Sequence, residues 1–168
     1  RLNANAIAIQ LPIGEADEFR GIIDLVEMNA TMYKDDKGLV TEVVEIPAEY
    51  KDKAEIMRAQ IVEVAAEQDD ALMEKYFETG DLSVEEIKKG IRIGTIAGKI
   101  NPVVCGTSFK NKGIQKLLDA IVDYMPAPTD VEDIKGTKPN SEEEESRKSS
   151  DSESFAGLAF KIMTDPYV

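Results

Sequence analysis

The chain has 168 residues, 42% of them hydrophobic, which is enough to bury a core and by length suggests about one domain. Its formal charge of −13, from 33 acidic against 20 basic side chains, argues against a phosphate backbone as partner, because nucleic-acid affinity is built from Lys and Arg. A single cysteine, Cys105, and no histidine exclude an internal disulfide, a structural zinc site and a Ser-His-Asp triad within these residues. A basic protein partner fits the surface better. No apolar run reaches the roughly 20 residues that a membrane helix needs, and no basic segment followed by a short apolar one opens the sequence, so a soluble, cytoplasmic chain is expected. Residues 1–5 carry no helix or strand start signal and the first is Arg1, so the sequence reads as a piece of something larger.

Ile7, Ile9, Leu11 and Ile13 alternate with Ala8, Gln10 and Pro12, the period of two that predicts a half-buried strand, at an edge because of Pro12. The run Gly21-Ile22-Ile23-Asp24-Leu25-Val26 follows, and then Met32-Tyr33 and residues 39–46 on either side of the turn Asp35-Asp36-Lys37-Gly38. This first third predicts an antiparallel meander. Pro47 suits the first turn of a helix, and residues 48–76, rich in Ala, Glu, Lys and Met without internal Gly or Pro, predict one long helix, with any break near Lys51 to Lys53. Ser83 with Glu86 makes a capping box that starts a second helix at Val84, ending near Gly98. Residues 100–105 then read as a short apolar strand. Ile114, Leu117, Leu118, Ile121 and Val122 fall at the spacing of an amphipathic helix, which Pro126 and Pro128 stop. Residues 130–154, with nine acidic and four basic side chains and many serines, predict a mobile acidic linker, and Phe155, Leu158, Phe160 and Ile162 resume a strand-like pattern.

Two constellations could carry function. The first is the turn from Thr107 to Gly113, at the end of a strand and ahead of a helix, where open α/β sheets present ligands. A purine needs flat packing, a backbone N–H aimed at its carbonyl oxygen and a basic stem, and such a turn supplies them; on pattern alone it is equally a plain polar connection. The second is the stripe Glu63, Glu67, Asp70 and Glu74 on the long helix, opposite a buried stripe of Ile61, Val64, Ala65 and Leu72. By itself that is a solvated face. Met28, Met32, Met57 and Met73 read as core filling, and Asp35-Asp36-Lys37-Gly38 as a hairpin turn with too few spaced oxygens for a calcium loop.

Cys105-Gly106-Thr107-Ser108-Phe109-Lys110-Asn111-Lys112-Gly113 resembles the Cys-Gly-Ser-Ala-Phe-Lys-Asn-Lys-Gly segment of bacterial elongation factor G, a translational GTPase. The likeness continues through Asp123-Tyr124-Met125-Pro126-Ala127-Pro128, and Gly21-Ile22-Ile23-Asp24-Leu25-Val26, Leu72-Met73-Glu74-Lys75-Tyr76 and residues 158–168 resemble the same factor in the same order. The resemblance implies an α+β insertion subdomain, a meander plus two helices, at 1–99; the last strand and helix of an α/β GTPase domain at 100–128; an acidic linker at 129–154; and the first strand of a β-barrel domain at 155–168. It implies that Thr107, Ser108 and Phe109 form the guanine-contacting loop, with the Ser108 N–H donating to the base. Thr and Ser stand where the family has Ser and Ala. It further implies that Glu63, Glu67 and Asp70 dock the basic C-terminal domain of the ribosomal stalk protein.

In that family GTP or GDP and Mg²⁺ are the cofactors, and the ribosome is the partner in translocation. This sequence has no phosphate loop, no Asp-x-x-Gly switch and no Asn-Lys-x-Asp motif, so no tight nucleotide binding and no GTP hydrolysis are expected of it alone, and neither catalytic nor metal-ligating residues are assigned. Direct nucleic-acid contact is not expected. The alternatives are a paralogous ribosomal GTPase, of ribosome-protection or recycling type, and a free-standing acidic interaction module.

Overall fold

The computed structural model describes residues 4–138, 140–157 and 161–164, in two compact units, Arg1–Met125 and Pro126–Val168. The larger unit runs β1 (Ala6–Ala8), β2 (Gln10–Ile13), β3 (Gly21–Asp24), β4 (Asn29–Tyr33), β5 (Thr41–Val44), α1 (Ala48–Ala66), α2 (Asp70–Thr79), α3 (Val84–Ile96), β6 (Asn101–Val103) and α4 (Ile114–Tyr124). The fold is mixed α/β. Strands β2 to β5 form an antiparallel sheet in sequence order, and β1 pairs in parallel with β6.

The alternating run at the start therefore serves two sheets. Ile9 is the point of transfer: its N–H donates to the Val103 carbonyl (3.0 Å) and its own carbonyl accepts from the Leu25 N–H (3.0 Å). Pro12, without an N–H, sits on the outer strand of the meander, where a missing donor costs no ladder bond. Leu11, Ile13, Ile23 and Ala30 close one face of the sheet, and α1 covers it with Ala54, Ile61, Val62 and Ala65. The four methionines pack half-buried against this core, as core filling requires.

The long helix breaks, but not at Lys51 to Lys53. Helix α1 is continuous there and ends at Ala66; Asp69 takes extended backbone (φ −152°) and its carboxylate accepts from the Leu72 N–H (3.2 Å), capping a new helix. An aspartate that caps offers the backbone an alternative to continuing the helix, and no glycine or proline is needed. Three helices, α1 to α3, thus accompany the meander instead of the two expected. Helix α3 begins as its capping box predicts, with the Ser83 N–H donating to Glu86 (2.8 Å) and the Glu86 N–H to Ser83 Oγ (3.3 Å).

In the smaller unit, the segment expected to be a mobile linker contains a hairpin, β7 (Ile134–Thr137) and β8 (Glu144–Arg147), whose ladder is joined by a Lys138–Glu143 ion pair (2.7 Å). Exposed hydrogen-bonded strands can form without a buried core, which composition alone does not register. No strand is assigned at 155–157 or 161–164, where Phe155 and Ile162 are exposed; Leu158 and Phe160 of the expected strand lie outside the described residues.

Helices α1 and α3 cross at Gly90, where a Cβ would sit 2.4 Å from the Ala65 carbonyl oxygen. Gly90→Ala gains about 1 kcal/mol of helix propensity, but overpacking against backbone costs ~1–3 kcal/mol or more, since neither helix can yield locally. The clash wins: the variant is expected to lose about 1–2 kcal/mol, seen as a lower urea midpoint.

Candidate purine loop and acidic corner

The 107–113 loop follows β6 and leads into α4. Thr107 and Lys112 close its base with two backbone hydrogen bonds (2.8 and 3.1 Å), and Ser108–Lys110 form a single 3-10 turn at its tip. Asn111 and Gly113 take left-handed backbone (φ 50° and 90°), which reverses the chain into the helix. Thr107 is half-buried, whereas Ser108 and Phe109 are exposed, Phe109 fully so. Among the described residues the Ser108 N–H has no hydrogen-bond partner. Of the three residues expected at a purine site, Thr107 thus belongs to the closed base of the loop, while Ser108 and Phe109 are exposed at its tip.

The base of the loop is held by the meander. The Gly113 N–H donates to the Tyr33 hydroxyl (2.6 Å, buried), and Lys112, a residue only 7% exposed, places its ammonium 5.9 Å from the centre of the Tyr33 ring. Gln10, also 7% exposed, accepts from the Cys105 N–H (3.2 Å). Burial holds the Tyr33 phenol above its usual range, partly offset by the Gly113 N–H, and pushes the Cys105 thiol up to about 11. Tyr33 and Gln10 are not legible in the sequence as loop residues: Tyr33 and Gly113 are 80 positions apart, and no spacing rule joins a strand end to a helix cap.

The acidic residues lie at the corner between α1 and α2. Glu63 is on the last turns of α1, Glu67 caps its end, and Asp70 opens α2; all three are exposed. The expected single stripe presumes one helix, so the break divides it. The buried partners keep their predicted side, with Ile61, Ala65 and Leu72 buried and Val64 half-buried. Two exposed apolar side chains, Ile56 and Phe77, extend the corner in both directions, about two helical turns from Glu63 and Asp70.

Helix α4 is covered unevenly. Arg92 of α3 donates to the carbonyls of Val122, Asp123 and Met125 (3.3, 3.1 and 3.0 Å) at its C-terminal end, and Lys88 bridges Glu27 and Asp123 (3.0 and 3.3 Å). These two carboxylates hold the Lys88 ammonium well above its usual range. Leu117, Leu118, Ile121 and Val122, the apolar face of the amphipathic pattern, are 38–77% exposed. No helix among the described residues is long and apolar enough to cross a membrane, and none of their acidic and thiol side chains gather into a metal-binding group.

No family model matches the chain. Among solved structures, it is similar to a protein from Thermus thermophilus, with a TM-score of 0.65 and 27% identity over 74% of this chain. The match spans 18% of that protein's length. The two share a similar fold.

With its pKa raised from 9.0 to about 11, Cys105 should hold roughly a hundredfold less thiolate at pH 8 than an unperturbed thiol. Iodoacetamide alkylation, followed by mass, should be slowed by that order and become fast in urea. The same shift favours the folded state below pH 9, and that contribution is lost as the pH climbs through about 11.

Proposed function

We propose that this chain is part of a translational GTPase of the elongation factor G type, in which it contributes the guanine-contacting loop and an acidic docking corner. One observation carries the reading: a loop with an unused donor at Ser108 stands between a strand paired in parallel and a helix whose apolar face is uncovered. Parallel strands and their helices normally have both faces covered. A βα unit of this kind belongs at the margin of a larger α/β sheet, and the length of the Thermus protein it resembles is in keeping with that. A free-standing module would cover α4 instead.

In this reading the Ser108 N–H meets the purine carbonyl oxygen, while the groups that hold phosphates and Mg²⁺ lie on other parts of the parent protein. The isolated chain does not hydrolyse GTP. The Glu63, Glu67 and Asp70 corner meets the basic C-terminal domain of the ribosomal stalk protein, with Ile56 and Phe77 providing apolar contact beside the charges. Translocation on the ribosome would be the activity of the whole, and the cytoplasm its location.

Hydrogen exchange on the chain tests the βα reading. Amides of α4 should exchange far faster than those of Ile61 to Ala65 in α1; strong protection across 117–122 would sink it. For the corner, Glu63→Lys with Glu67→Lys should slow association with the stalk protein's C-terminal domain by roughly tenfold or more at low salt, an effect that fades as salt is added. Unchanged binding would remove the docking role.

A further inference from the structure

The purine loop does not stand on its own strand and helix. Three residues, all from the β2–β5 meander, hold it in shape. Tyr33, the last residue of β4, accepts the Gly113 N–H at 2.6 Å and lies beneath the Lys112 ammonium. Gln10, in β2, accepts the Cys105 N–H at the point where the loop leaves β6. Gly38, in the turn between β4 and β5, presses on the far side: a Cβ there would fall 2.5 Å from the Asn111 carbonyl oxygen and 2.8 Å from that of Lys110.

That turn is itself closed by hydrogen bonds. The Asp35 carboxylate accepts from the N–H groups of Lys37, Leu39 and Val40 (3.3, 3.0 and 2.9 Å), and the Lys34 N–H donates to the Val40 carbonyl (2.9 Å). Gly38 sits at φ 64°, a conformation that a side chain resists. A preorganised turn, a buried phenol and a buried amide thus fix the base of the loop, and leave its tip, Ser108 and Phe109, free and exposed.

We propose that the β4–β5 hairpin is a clamp on the 107–113 loop, with Tyr33 as its positioning residue, so that the aim of the Ser108 N–H at a purine is set by the meander. The proposal rests on the purine reading of that loop for its ligand, but its geometry is independent of it. By reciprocity, anything that binds the ordered loop also stabilises the hairpin, and anything that loosens the hairpin weakens the ligand by the same factor.

The experiment uses the whole chain and two readouts. Tyr33→Phe removes one oxygen and keeps the ring packed near Phe19. The amides of Thr107 and Lys112, whose own acceptors lie within the loop, should then exchange roughly five- to tenfold faster, the loss expected for one buried hydrogen bond, while Ile61 in α1 changes much less. Gly38→Ala, which meets the loop from the other side, should produce the same local pattern. Equal acceleration at Ile61 would mean general destabilisation, and unchanged Thr107 and Lys112 would mean no clamp; either overturns the proposal.

The second readout is nuclear magnetic resonance titration with millimolar GDP. A saturable shift of Ser108 and Phe109 amides is expected, with roughly fivefold weaker binding in Tyr33→Phe. Equal GDP affinity in both proteins, despite a loosened loop, would overturn the positioning role. No shift in the unaltered chain removes the purine reading, and the exchange data then decide the clamp without it.

Discussion

The larger unit depends on one residue's backbone, Ile9, which hydrogen-bonds in two directions at once. Its N–H is committed to Val103 on the parallel strand and its carbonyl to Leu25 beside the meander. Buried backbone N–H and C=O groups must each find a partner, and by satisfying its two in different sheets this residue ties them together. Its side chain, 3% exposed, belongs to the shared core. The loop after β6 and the hairpin that braces it meet directly as well, through Tyr33 and Gly113, within the frame that this tie helps to set.

From that tie follows the division between what is held and what is left open. Everything on the meander side of the loop is braced: Gln10 at its entrance, Tyr33 at its exit and Gly38 against its back. Arg92 and Lys88 of α3 secure the far end of α4. The opposite face of α4 is apolar and uncovered, and the loop tip is exposed with an unused donor. One side of the loop and α4 is thus ordered and the other open, and the acidic corner between α1 and α2 is a second, separate exposed surface.

Local signals read well where the physics is local. The capping box at Ser83 and Glu86, the turn at Asp35 to Gly38, the edge proline Pro12 and the buried side of α1 each depend on residues within a few positions of one another, and each is found in place. The break at Asp69 escapes such reading because helix propensity sums over a window, while a single capping carboxylate acts at one point. The hairpin at 134–147 escapes it because composition measures what can be buried, and backbone pairing at the surface buries little.

By itself, then, the sequence determined most of the elements, their order, the acidic surface and the residues of the loop, since these follow from periodicity, capping and charge along the chain. Tertiary structure alone decided that one alternating run serves two sheets, that the acidic stripe turns a corner, and that Tyr33 meets Gly113 across 80 residues. Those outcomes rest on which backbone groups and faces find each other in space, and a short-range pattern holds no information about such meetings.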